Sequence, residues 1–212
     1  MVGGGVLREC LEDDAVQAVL AVGRRPCGLT HPKLRDRILP DLGALDAIRD
    51  DLARCDACFY CVGVSAAGMG EAAYRRVTYD LTMAAATLLA EVKPGAVFCY
   101  LSAQGANAQS RFMWARVKAE TEDRLLALPL TAYAFRPGII QPMKGVRSRT
   151  KIYQALYTLF APVVPALARR FPRHVTTTVR VGRAMIEAAG NGSAKRVLET
   201  DDINALAAAG SG

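Results

Sequence analysis

Short apolar runs alternate along the chain with longer stretches in which apolar residues recur every three to four positions. The short runs read as strands and the longer ones as helices, and their alternation is the signature of a parallel α/β sheet. Residues 3–11 predict a helix. Residues 18–22 predict a strand that ends in Gly23-Arg24-Arg25-Pro26, and residues 37–41 a short edge-type strand. Pro40 confines that second strand to an edge, because it lacks the N–H an inner ladder needs. A helix follows over 45–52, a strand over 57–62 and a long helix over 71–91, closed by Lys93-Pro94-Gly95. Residues 97–101 predict a strand running into Ser102. Residues 112–126 predict a helix carrying Trp114 and Lys118, and residues 132–135 a strand ending in Arg136-Pro137-Gly138.

This order predicts a Rossmann-like, doubly wound parallel sheet in one domain spanning 1–206, with 207–212 as a frayed tail. Its opening is unusual. Such a sheet starts with a strand, a glycine turn and a helix whose N-terminus receives a pyrophosphate. Here Met1-Val2-Gly3-Gly4-Gly5 already resembles the last glycine of that turn and the helix after it. The first strand and the early glycine turn are missing, and in the order 3-2-1-4-5-6 that strand is central. Its loss removes about ten ladder bonds at roughly 1 kcal/mol each, which rivals a whole stability of about 5–15 kcal/mol. The expectation is a chain truncated at its N-terminus, or read from a late start. Alternatively, the second and fourth strands close the gap directly and spoil the pyrophosphate site.

Length and composition are those of one ordinary globular domain, 212 residues with 51% apolar and 22% charged. The net charge of +7 is uneven: residues 124–186 carry eleven Lys/Arg and no Asp or Glu, which leaves −4 for the remainder. That basic segment suits an anionic ligand or a membrane surface, or is simply a solvated basic face. The six cysteines read as reduced thiols of a cytoplasmic protein. Cys55-x-x-Cys58-x-x-Cys61 overlaps a strand-like run, where alternating faces oppose joint ligation. His31 and His174 have no Asp, Glu or Cys at ligand spacing, so no metal site is expected. There is no Gly-x-Ser-x-Gly elbow for hydrolase chemistry, and no nucleic-acid motif.

Gly3 opening a helix, Gly23-Arg24-Arg25, Asp41-Leu42, Val62-Gly63-Val64, Leu101-Ser102, the Lys118 helix and Arg136-Pro137-Gly138 recur in one order. Together they resemble the atypical or extended short-chain dehydrogenase/reductase superfamily, in particular the NAD(P)H-binding epimerase-like proteins that include the Tat-interacting-protein group. The resemblance covers residues 3–206. It implies that Asp41 and Leu42 lie beside the adenine, that Gly63 and Val64 approach the cofactor, and that Pro137, Gly138, Ile139 and Ile140 run along the nicotinamide. It gives Ser102 a hydrogen bond to the substrate oxygen and Lys118 the nicotinamide ribose. Arginine at positions 24 and 25, where an acidic residue would select NAD, favours the 2′-phosphate of NADP(H) over NAD(H). The plainer alternative is a solvated turn.

Trp114 stands where the catalytic tyrosine of Tyr-x-x-x-Lys belongs. A tyrosine there donates or accepts the proton at a carbonyl or alcohol, whereas indole is a donor with no proton that titrates near neutrality. Trp114 is a flat wall for substrate or nicotinamide, or helix core. Residues 141–180 are expected to form a substrate-side lid. Within them, apolar residues at helical spacing over 152–170 suit a lid, a homodimer face or a peripheral membrane contact, and are too interrupted to span a bilayer. The functional expectation is an NADP(H)-dependent oxidoreductase or epimerase-like enzyme acting on a small carbonyl or alcohol. The alternatives are a non-catalytic NADP(H)-binding sensor or interaction protein, and an inert fragment.

Overall fold

The computed structural model describes residues 1–143 and 174–210. In chain order its strands are β1 (Val19–Gly23), β2 (Leu34–Ile38), β3 (Ala57–Tyr60), β4 (Val97–Leu101), β5 (Thr131–Arg136), β6 (Ile139–Gln141), β7 (Val175–Thr177) and β8 (Val197–Glu199). The helices are α1 (Val2–Glu12), α2 (Arg49–Leu52), α3 (Glu71–Arg75), α4 (Leu81–Val92), α5 (Met113–Leu126), α6 (Thr178–Gly190) and α7 (Thr200–Ala209). Strands β3-β4-β5-β8 form one parallel sheet, with β1-β2 and β6-β7 as two parallel pairs.

Helices cover both faces of the main sheet. Cys99 and Phe135 pack on one side with Val6 and Cys10 of α1, Met185 of α6 and Ile203 of α7. Phe98 and Tyr100 point to the other side, against Ala86 and Leu89 of α4 and Leu125 of α5. Residues 98, 99 and 100 are at most 1% exposed. A strand buried on both faces must be apolar at every position, which explains the unbroken Val97–Leu101 run. The crossing of α1 with α6 depends on missing side chains: a Cβ on Gly5 would lie 2.5 Å from the Cβ of Thr178, and one on Gly182 would lie 2.8 Å from Cγ of Glu9. Any larger residue at either position would push the helices apart.

Between β1 and β3 the sheet is open. β1 pairs with β2 and β3 with β4, and no strand among the described residues pairs with their other edges. Val19 of β1 and Phe59 of β3 both rest on the α1–α6 core cluster, so both strands flank the same layer. Direct closure of β1 onto β3 therefore does not occur among the described residues.

Several boundaries differ from the sequence expectation. Strand β2 ends at Ile38, three residues earlier in register than predicted, and Pro40 falls outside it. The last backbone bond there is Leu39 N–H to the Gly23 carbonyl, 2.9 Å, so the strand stops just before the residue that cannot donate. The expected helix 45–52 splits into a 3₁₀ turn, Leu45–Ile48, and the single turn α2. The long helix predicted for 71–91 is interrupted by a π turn at Arg76–Asp80. There the buried Thr82 hydroxyl donates back to the Thr78 carbonyl at 2.6 Å, competing with the regular helical bond. The segment expected to be lid, dimer face or membrane contact, 152–170, lies outside the described residues.

Candidate functional site

Parallel pairing places the ends of β3, β4 and β5 along one edge, with Tyr60 beside Tyr100, Tyr100 beside Ala134, and Leu101 beside Phe135. The segments after those strands therefore gather at the carboxyl edge, where open α/β sheets bind ligands. Ser102 N–H donates to the Phe135 carbonyl at 2.8 Å, and Gln104 N–H to the Pro137 carbonyl at 3.0 Å, tying the two loops together. Gly138 has no room for a side chain: a Cβ would lie 2.6 Å from Gln104 Oε1 and 2.7 Å from the His174 carbonyl. Its N–H donates to Thr200 Oγ1 at 2.9 Å. Ile139 and Ile140 continue as the short strand β6, with Ile139 exposed.

Helix α5 lies against this edge and carries Trp114, Lys118 and Glu122 at four-residue spacing, hence on one face. Ser102, 6% exposed, donates its hydroxyl proton to the Glu122 carboxylate, itself 2% exposed. Glu122 is also held by Arg136 through Nε at 3.0 Å and Nη2 at 2.5 Å, and Arg136 reaches on to Glu199 at 3.2 Å. A buried carboxylate is tolerable only when paired and hydrogen-bonded in this way.

Lys118 sits between these groups without joining them. Its Nζ donates to the Leu101 carbonyl at a long 3.4 Å and lies 5.3 Å from the centre of the Tyr100 ring. Burial pulls its pKa down to about 8, with the Glu122 charge acting in the opposite direction. Tyr100 is the reverse case. Among the described residues its buried hydroxyl has no hydrogen-bond partner, and desolvation raises its pKa far above the usual phenol value. Trp114 is half-buried in the first turn of α5. Its Cη2 edge lies against the Gly105 turn, 3.5 Å from where a Cβ would stand, and Phe112, 67% exposed, stacks on it at 6.5 Å between centroids.

The other predicted residues lie in the segments that follow β1, β2 and β3 and in the first turn of α1. Arg24 and Arg25 follow β1 and are exposed, with no ion pair among the described residues. Asp41 is exposed and accepts the Gly43 N–H at 2.8 Å, while Leu42 is half-buried. Gly63 and Val64 follow β3 and are exposed. Gly3 lies in the first turn of α1, where a Cβ would be 3.1 Å from that of Cys61. That helix has no side-chain cap and no acidic residue in its first turn. Its first N–H groups and positive dipole end therefore suit an anion.

Among the described residues no three His, Cys, Asp or Glu are grouped to hold a metal ion. Cys58 and Cys61 are free thiols that burial pushes up to about 12. No helix among the described residues is long and apolar enough to cross a membrane.

Glu122 and the role of Arg136 were missing from the sequence reading, although the 114, 118, 122 spacing could have revealed the carboxylate. His174 was considered only as a metal ligand. It lies at this edge, its Nδ1 3.3 Å from Gln104 Nε2.

No protein-family model matches the sequence. Solved structures do match. A short-chain dehydrogenase family protein from Francisella tularensis is 14% identical, with a TM-score of 0.63 over 91% of this chain and 88% of its own. An oxidoreductase of the short-chain dehydrogenase/reductase family from Burkholderia thailandensis is 15% identical, with a TM-score of 0.69 over 95% and 88%. The Bordetella bronchiseptica enzyme WbmF, solved in complex with NAD+, is 15% identical, with a TM-score of 0.67 over 98% of this chain and 73% of its own. The fold is thus the α/β fold that these short-chain dehydrogenase structures share.

Proposed function

We propose that this chain is a nicotinamide-dinucleotide-binding protein of the extended short-chain dehydrogenase/reductase type, acting as an oxidoreductase or epimerase-like enzyme on a small carbonyl or alcohol. The observation that carries this reading is the convergence of the α1 N-terminus, Ser102, Lys118 and the Pro137-Gly138 turn around the carboxyl edge of a parallel sheet. The donor set fits such a cofactor. The uncapped first turn of α1 would face the pyrophosphate, Lys118 the nicotinamide ribose, and the Pro137–Ile140 segment the nicotinamide. When bound, that cofactor supplies or takes a hydride at the substrate carbon. The chain's own residues position the reacting groups and handle the proton.

NADP(H) is the favoured form. Arg24 and Arg25 stand exposed after β1, where a 2′-phosphate would meet two guanidinium groups. Calorimetric titration of NADPH and NADH tests this. The wild type is expected to bind NADPH more tightly, and Arg24→Ala with Arg25→Ala to lose that preference. A charge-assisted pair is worth about 1.5–3 kcal/mol, or roughly 10- to 100-fold in affinity. Equal binding of both cofactors by the wild type would remove the NADP(H) preference.

A second reading, a non-catalytic NADP(H) sensor, draws on Trp114. A donor-only ring leaning on the Gly105 turn offers a wall where a reductase offers an acid. NADPH binding without turnover supports that reading.

A further inference from the structure

We propose that Lys118 is the proton-transfer group of this site, giving a proton to the substrate's carbonyl oxygen in reduction and taking it back from the hydroxyl in oxidation. This rests on the cofactor reading above and names the acid that it lacks. In the reducing direction the substrate carbon gains a hydride from the reduced nicotinamide. The oxygen gains the Lys118 proton, and the neutral amine left behind is reprotonated from water.

The neighbouring candidates are already committed or unsuitable. Trp114 has no proton that titrates in the working range. Ser102 directs its only proton into Glu122, so toward the edge it presents lone pairs. It can accept from a substrate hydroxyl but cannot protonate a carbonyl. Glu122 is held by Arg136 through two nitrogens as well as by Ser102. Tyr100 is 1% exposed, beneath the Lys118 ammonium.

Lys118 has what the others lack. The one carboxylate on its own helix face is withdrawn by Arg136, so no acidic group holds its proton. Its anchor is a single long bond to the Leu101 carbonyl, at the last residue of β4 and next to Ser102. The groups around it are Glu122 on α5, Arg136 on β5 acting through Glu122, and Tyr100 on β4 with Tyr74 of α3 beyond it. Both phenols are raised by burial and stay neutral. Desolvation therefore dominates, and the amine titrates at about 8, where both its forms are populated near physiological pH.

Lys118→Arg is the decisive variant. It keeps a cation with donors for a ribose, but a guanidinium does not release its proton. Wild type and variant are compared for NADPH binding, and for NADPH oxidation with benzaldehyde and cyclohexanone across pH 6–10. Separately, the chain's six lysines are dimethylated with ¹³C-formaldehyde and titrated by NMR. The expected results are reduction by the wild type that declines above about pH 8, and a fall in the turnover of Lys118→Arg that far exceeds any loss of its NADPH affinity. The variant's turnover should fall by about 10²–10⁴. One lysine signal, absent from the variant, should titrate well below the rest. Two results overturn the proposal alone: a Lys118 signal titrating with the other lysines, or a pH limb that disappears in His174→Gln; NADPH binding without oxidation against either carbonyl removes the enzyme reading together with it. Failure of the wild type to bind NADPH removes the cofactor reading as well.

Discussion

Replacing Lys118 with methionine keeps a long apolar stem, removes the charge, and is expected to stabilise the fold at neutral pH. The folded chain releases this proton at about 8, against 10.5 for an ordinary lysine. Between those values the unfolded chain still holds a proton that the folded chain has lost, so stability rises with pH across that window. Below pH 8 both states are protonated and the folded state carries the full desolvation cost. A shift of that size corresponds to about 3 kcal/mol at roughly 1.4 kcal/mol per unit. The long bond to the Leu101 carbonyl returns about 1 kcal/mol at most. Lys118→Met should therefore gain about 2 kcal/mol at pH 7, and the gain should shrink toward pH 10. Urea denaturation of both proteins at pH 7, 8.5 and 10 measures it, with the cysteine and tyrosine titrations common to both cancelling in the difference. A variant less stable than wild type at pH 7, or a difference that ignores pH, would refute the reasoning. A charge kept in place at that cost is what a working site would retain.

Two further outcomes follow from the same geometry. Arg136→Met leaves the Glu122 carboxylate buried without its main partner and should cost about 3–5 kcal/mol in chemical denaturation; a loss under about 1 kcal/mol would mean that water already reaches Glu122. In amide hydrogen exchange, every second amide of β3 faces the open edge and should exchange far faster than its neighbours bonded to β4; uniform protection along β3 would show that the edge is covered.

The sequence makes the sheet legible where burial is complete. Val97–Leu101 is apolar at every position because helices cover both faces, and its predicted ends are the observed ones. Legibility falls where local chemistry competes with pattern. The π turn at Arg76–Asp80 leaves apolar periodicity almost intact, so 71–91 still reads as one helix. Strand β2 is amphipathic and half-exposed, and its run reads on through Pro40, which the ladder excludes. Direct pairing of the two strands that flank the expected gap was one of the alternatives, and among the described residues β1 pairs with β2 and β3 with β4, not with each other.

The site was legible by residue type more than by wiring. Ser102 and Pro137-Gly138 were singled out from their places after strands and Lys118 from its helix, four residues after Trp114, and the structure brings them to one edge. What the sequence could not reveal is that Ser102 gives its proton to Glu122 and that Arg136 claims the same carboxylate. Those partners are 14 and 20 residues apart in the chain, and only the register of β4 and β5 beneath α5 brings them together.

Trp114 also supplies the measurement closest to the central claim, because it is the chain's one tryptophan and lies one helical turn from Lys118. Titrating NADPH while exciting Trp114 should quench its emission and produce sensitised NADPH fluorescence, saturably and more strongly than with NADH. Tryptophan emission unchanged at saturating NADPH would contradict a cofactor bound at this edge.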